Sequence, residues 1–225
     1  MANALAISDL SFSYEQESVL HQLNLSVDAG QFLALIGENG VGKSTLMNLI
    51  LGRLKPSSGK ISLFGDDHAI DNHYRDIAYV SQNAVLGYKY FPTTVEEVVR
   101  IELRHLKKKA SITELLATVE LEDHANRRLS ELSGGQLQRV GLLLALAKDA
   151  RLILLDEPTS GIDKIFSAEL YQILRGLADE GRAIVLVTHH PAEATNFVDR
   201  VVRLKNGSCS ELDPKLWKGG MEGLV

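Results

Sequence analysis

Gly37-Glu38-Asn39-Gly40-Val41-Gly42-Lys43-Ser44-Thr45 fills G-x-x-x-x-G-K-[ST] at every fixed position. The apolar run Phe32-Leu33-Ala34-Leu35-Ile36 precedes it, and Thr45-Leu46-Met47-Asn48-Leu49-Ile50-Leu51 follows with the residues of a helix. Strand, loop and helix in that order read as an α/β fold built to hold a polyphosphate. The glycines let successive backbone N–H groups converge on phosphate oxygens, and a helix starting at about Lys43 adds its positive end. Lys43 supplies a point charge to the terminal phosphates, and the Ser44 hydroxyl a ligand for Mg²⁺.

Working downstream, Leu152-Ile153-Leu154-Leu155 is a continuous apolar run of the kind that forms a buried parallel strand. It delivers Asp156 and Glu157 at its carboxyl end, where α/β folds place their chemistry. Adjacent side chains at a strand end point opposite ways, so the two carboxylates are expected in different environments. Asp156 suits the Mg²⁺ shell, and Glu157 suits a water aimed at the γ-phosphorus. Ala183 to Val187 reads as a further buried strand ending in Thr188-His189-His190. A histidine there can reach a γ-phosphate oxygen, although in isolation His189 and His190 would more often be surface loop residues than ligands. A zinc site from His189 and His190 is disfavoured, because sequence neighbours rarely converge on one metal.

Leu132-Ser133-Gly134-Gly135-Gln136 opens another helix, with Ser133 as N-cap and the glycines exposing backbone donors to a second anion. Ser160-Gly161-Ile162-Asp163 reads as a loop, with Asp163 able to cap the helix that starts at Lys164. Upstream of the phosphate loop, residues 4 to 27 read as two or three strands. Tyr14, within them, serves either as a platform for a nucleotide base or as a cap on the sheet. Thr94 to about Leu121 is helical in pattern and interrupts the strand–helix alternation. A helical subdomain is therefore placed at roughly residues 83 to 150, inserted in a single domain spanning 1–225. Lys107-Lys108-Lys109 falls in its inter-helix turn as a solvated charge run.

With 225 residues the chain can bury roughly 70–75% of its unfolded surface in one domain. One cysteine, Cys209, excludes an internal disulfide and fits a reducing compartment. A net charge of −5 argues against a dedicated nucleic-acid binder. No apolar run approaches the ~18 residues of a membrane span, which predicts a cytosolic chain that meets membranes only through a partner.

Taken together, the phosphate loop, Gln82, Leu132 to Gln136, Leu152 to Glu157, Ser160 to Asp163 and His189 resemble the ATP-binding cassette (ABC) ATPases of ABC transporters. The resemblance runs from Leu5 to about Gly207. It implies a P-loop NTPase core with an antiparallel β subdomain and a helical subdomain, binding ATP and Mg²⁺. Residues 37 to 45, Glu38, Asn39, Val41 and Thr45 included, form the implied ATP cradle, with Tyr14 as the base-stacking aromatic. Gln82 is implied to link Mg²⁺, held by Ser44 and Asp156, to the transmembrane partner. Glu157, His189 and Gln82 are the implied catalytic residues, His189 as the switch histidine. Ser133, Gly134, Gly135 and Gln136 are implied to close on the ATP of a second copy in a head-to-tail homodimer, with Asp163 in the D-loop.

The family also implies integral membrane permease subunits, an extracytoplasmic solute-binding protein, and a place on the cytoplasmic face of the cell membrane. Where the family usually has Asp after the switch histidine, this sequence has His190. Tyr79-Val80-Ser81-Gln82, Phe91 to Val99 and Gly161-Ile162-Asp163 look like the zinc/manganese-type metal-ion importers of bacteria. Cobalt and vitamin importer ATPases carry similar Thr-Val-Glu-Glu stretches and are the alternative, alongside a soluble non-transport ABC ATPase.

Overall fold

Strand Phe32–Ile36 (β3) is buried at every position, and its side chains alternate between two cores. Phe32, Ala34 and Ile36 join a core covered by long helices, while Leu33 and Leu35 join one shared with the phosphate-loop helix and a second sheet. A strand that is apolar throughout needs cover on both faces, and that requirement sets the layers. In this computed structural model, which describes residues 3–15, 17–81, 87, 90, 92–159, 164–189 and 191–217, β3 lies within a six-stranded sheet.

Chain order starts with the long strands Asn3–Tyr14 (β1) and Glu17–Asp28 (β2), then β3, helix Lys43–Ile50 (α1), and strands Ser58–Leu63 (β4), Asp66–Asp67 (β5) and Ile77–Ser81 (β6). Helices Val95–Leu106 (α2) and Ile112–Thr118 (α3) follow, then 3₁₀ turns Glu122–His124 and Leu129–Glu131, and helix Gly134–Lys148 (α4). Strand Leu152–Asp156 (β7), helix Lys164–Asp179 (α5), strand Ala183–Val187 (β8) and helix Pro191–Ala194 (α6) return the chain to the main sheet. Strands Arg200–Lys205 (β9) and Ser208–Glu211 (β10) and the turn of helix Pro214–Trp217 (α7) complete the described elements.

The main sheet runs β10-β9-β3-β8-β7-β6, with β9, β3, β8, β7 and β6 parallel and β10 antiparallel at the edge. The carboxyl ends of β3 and β7 therefore lie at one edge of the sheet, where Gly37 and Glu157 leave it. The second sheet, β2-β1-β4-β5, is antiparallel. Of the two or three strands expected between residues 4 and 27 there are two, each of twelve residues. Register shifts between Ile7 and Leu10, with Asp9 at φ 50 and Gln22 at φ 44, reset the alternation of apolar side chains and make one strand read as two. Trp217 is fully buried in the helix-covered core, its indole N–H donating to the Leu212 carbonyl at 3.3 Å.

Helix α2 begins with a capping box: Thr94 Oγ1 accepts from Glu97 N at 3.2 Å, and Glu97 Oε2 accepts from Thr94 N at 2.9 Å. Lys107 ends it in the left-handed conformation. Helix α4 is buried along most of its length. Its Arg139 donates to the Val119 carbonyl and pairs with Glu120 and Glu169, joining the segment after α3 to α5.

Candidate functional site

Between β3 and α1 the chain turns through Gly37 to Gly42, and two of these glycines are required by what surrounds them. A Cβ on Gly37 would lie 2.5 Å from the Leu204 carbonyl oxygen of β9. Gly42, the N-cap of α1, has φ 109, and a Cβ there would meet Val19 at 2.9 Å. The Lys43 ammonium folds back over the loop and donates to the Gly37 carbonyl at 2.7 Å and the Glu38 carbonyl at 2.8 Å. Burial lowers its pKa, against the opposing pull of Glu157 and Asp156.

A cleft of about 170 Å³ opens beside this loop, lined by Asn39, Gly40, Gly42, Lys43, Ser44, Thr45, Asp156 and Glu157. Two segments more than a hundred residues apart thus meet at one place, because β7 and β3 both run parallel to β8 and end together. Both carboxylates line the cleft, which simple strand alternation does not predict. Glu157 leaves β7 at φ 50 while its N–H donates to the Val187 carbonyl of β8 at 2.9 Å, and that turn brings its side chain back. Their partners nevertheless differ. The Asp156 carboxylate accepts from the Tyr79 hydroxyl at 3.2 Å and from Ser44, whereas Glu157 Oε1 lies 3.0 Å from His189 Nδ1.

Burial pushes the Asp156 carboxyl above the ordinary carboxylate range, with Glu157 adding to the rise and the bonds from Tyr79 and Ser44 and the charge of Lys43 opposing it. A lysine shifted down and a carboxyl shifted up mark a buried place where more charge compensation would be favourable. Ser44 and Asp156 present oxygen donors only, side by side, a set suited to a hard divalent cation. Among the described residues no group of three or more His, Cys, Asp or Glu side chains is arranged to hold a metal ion.

Tyr14 is 46% exposed, packs edge-on against Phe12, and sets its hydroxyl 3.5 Å from Thr45 Oγ1 of α1. Its ring is therefore open to solvent beside the helix that follows the loop. Ser133, Gly134, Gly135 and Gln136 form a separate place and do not line the cleft. Ser133 Oγ accepts from Gln136 N at 3.2 Å, Gln136 Oε1 accepts from Ser133 N at 3.0 Å, and the Gln136 side-chain nitrogen lies 2.7 Å from His124 Nε2. Gln82, Ser160, Gly161, Ile162, Asp163 and His190 lie outside the described residues.

Sequence reasoning missed Tyr79. Burial first, and Asp156 beside it, push this phenol up to about 12, so that it donates to the carboxylate. Arg53 covers its ring at 5.1 Å from the centroid. No local signal marks it: Tyr79 lies two residues before Ser81, the register partner of Asp156, and that pairing is a property of the sheet.

The glycine-rich loop opening a helix, with an acidic pair at the end of a neighbouring parallel strand, defines a nucleoside-triphosphate-binding α/β protein. Residues 20–160 match the model of the family described as "ABC transporter". The chain belongs to the ABC transporter family and is one of its ATP-binding, ATP-hydrolysing members. It is 36% identical to the zinc uptake system ATP-binding protein ZurA of Listeria innocua, over 91% of this chain and 83% of that protein. It is 35% identical to the manganese transport system ATP-binding protein MntB of Bacillus subtilis, over 88% of this chain and 82% of that one. Among solved structures, cbiO1 of Clostridium perfringens, part of the ABC transporter complex cbiONQ, superposes with a TM-score of 0.87 at 26% identity, covering 99% of this chain and 93% of that one.

Proposed function

We propose that this chain powers import of a divalent metal ion, zinc or manganese, by hydrolysing ATP on the cytoplasmic face of a membrane. The observation that carries the chemistry is the shared cleft of Lys43, Ser44, Asp156 and Glu157, with His189 against Glu157. Residues 37 to 45 cradle the phosphates, Lys43 exchanging its two carbonyl partners for phosphate oxygens, while Tyr14 stacks on the base. Mg²⁺, held by Ser44, Asp156 and Gln82, would neutralise charge on the phosphates. Glu157 orients a water and accepts its proton as the water oxygen bonds to the γ-phosphorus and the bond to the bridging oxygen of ADP breaks. His189 fixes the Glu157 carboxylate and offers a donor to the γ-phosphate.

Ser133 to Gln136 lie apart from that cleft, which supports a head-to-tail pair in which each copy caps the other's nucleotide, with Asp163 as the D-loop residue. Residues 1–225 act as one unit, and the helices between about 83 and 150 face the permease, with a solute-binding protein delivering the cargo outside. No helix among the described residues is long and apolar enough to cross a membrane. The metal reading rests on the segment from Tyr79 to Val99 and on relatives whose names specify zinc and manganese uptake.

Glu157→Gln tests the whole arrangement. It is expected to bind ATP, to turn over about 10²–10⁴-fold more slowly, and to accumulate as an ATP-bound dimer in light scattering. A variant that stays monomeric with saturating Mg-ATP would count against the pair. Transport assays in vesicles with the cognate permease, supplying zinc, manganese or cobalt, decide the cargo.

A further inference from the structure

We infer that His124 is a positioning residue for the end of α4 that meets the second copy's nucleotide; the inference rests on the two-copy reading above. The side-chain amide of Gln136 stands between two groups that together assign its orientation. The backbone N–H of Ser133, 3.0 Å away, can only donate, so the Gln136 atom facing it is the oxygen. The amide NH₂ then faces His124 Nε2 at 2.7 Å. An amide NH₂ has no lone pair to offer, so His124 Nε2 accepts, and the imidazole is neutral with its proton on Nδ1. That Nδ1 is buried and has no hydrogen-bond partner among the described residues. A buried donor left unbonded is costly, and it persists here where the other nitrogen has a specific bond to make.

Through this bond His124 governs the cap. With its NH₂ held by His124, Gln136 keeps its oxygen on Ser133 N, and Ser133 Oγ keeps its bond from Gln136 N at 3.2 Å. Both bonds fix the direction of the Ser133 hydroxyl at the mouth of the helix. Ser133 and Gly134 are exposed, and the space beside the Gly134 Cα is open. His124 comes from the 3₁₀ turn Glu122–His124, a different element from the helix it organises. Without the imidazole acceptor the amide is free to rotate, the bond to Ser133 N is lost for part of the time, and the hydroxyl loses its fixed aim.

The test uses the full chain carrying Glu157→Gln, so that dimerisation with Mg-ATP is read by sedimentation without turnover. His124→Phe keeps a ring but no acceptor, and His124→Gln restores an acceptor close to the Nε2 position. Added to Glu157→Gln, His124→Phe is expected to weaken ATP-driven dimerisation about 10-fold, the effect of one lost hydrogen bond, and His124→Gln to recover most of it. ATP affinity of the monomer is expected to be unchanged in both, because the phosphate loop belongs to the other half of the site. Equal dimerisation by the Phe variant, no rescue by Gln, or a matching loss of monomer ATP affinity would each overturn the role of His124. If the chain with Glu157→Gln and native His124 stays monomeric, the two-copy reading fails, and the inference with it, by a separate readout.

Discussion

The cleft beside the phosphate loop and the exposed end of α4 are both places where backbone donors gather at a helix start, yet they are built in opposite ways. At the cleft the charged side chains have local counterparts: Lys43 donates to two carbonyls, Asp156 accepts from Tyr79 and Ser44, and Glu157 lies against His189. At α4 the polar groups of Ser133 and Gln136 bond mainly to one another and present an exposed hydroxyl. The first brings Lys43, Ser44, Asp156 and Glu157 together within one chain. The second has a firm shape and no chemistry of its own. Damage to the first should abolish binding or turnover in a single copy, and damage to the second should be silent until two copies meet.

Lys43→Ala cuts deepest into that contrast. It removes the buried cation that lines the cleft, and the isolated chain is expected to lose measurable ATP binding by calorimetry; affinity like the parent's would break the comparison at its stronger side. Ser133→Ala addresses the weaker side. The lost cap costs about 1 kcal/mol of stability, monomer affinity for ATP should hold, and ATP-driven dimerisation should fall. A loss of ATP affinity in the monomer would mean that the two places are not separate.

Tyr79→Phe sharpens the description of the cleft itself. Removing the hydroxyl frees the Asp156 carboxylate, and the Mg²⁺ concentration needed for half-maximal protection of the ATP-loaded chain against thermal unfolding should rise about 10-fold. Protection by ATP without Mg²⁺ should not change.

The smallest effect belongs to neither place. His73 Nε2 lies 3.0 Å from Asp66 Oδ2 and its Nδ1 3.1 Å from Asp76 Oδ2. Burial lowers its pKa, but the bonds from Asp76 and Asp66 outweigh that and raise it overall. A raised folded-state value means that its stabilisation is complete below the unfolded value of about 6.5 and is lost as pH rises through the folded value. The gap in Tm between the parent chain and His73→Asn should therefore narrow from pH 6 towards about pH 8. ATP binding is expected to be indifferent to the change.

What could be read from the sequence divides along similar lines. Residues 37 to 45 and Leu152 to Glu157 were legible because each is a continuous stretch whose chemistry is local. The N-cap role of Ser133 was legible for the same reason, since the cap and its partner are three residues apart. The Tyr79–Asp156 bond was not, because it depends on which strand lies beside β7 and in what register, and nothing in either stretch states that pairing. His124 was hidden in a short 3₁₀ turn with no periodicity to mark it. The shared cleft of Asp156 and Glu157 was missed because period-two reasoning presumes an extended backbone, and Glu157 has φ 50. The long strands β1 and β2 were read in pieces because bulges at Asp9 and Gln22 interrupt the alternation that identifies a strand.

That dihedral at Glu157 has a further consequence. A side chain larger than glycine in the left-handed region carries a conformational penalty of order 1 kcal/mol, and glycine there carries none. Glu157→Gly is expected to lose hydrolysis while its melting temperature holds or rises. On the reading proposed above, durability and hydrolysis pull this position in opposite directions.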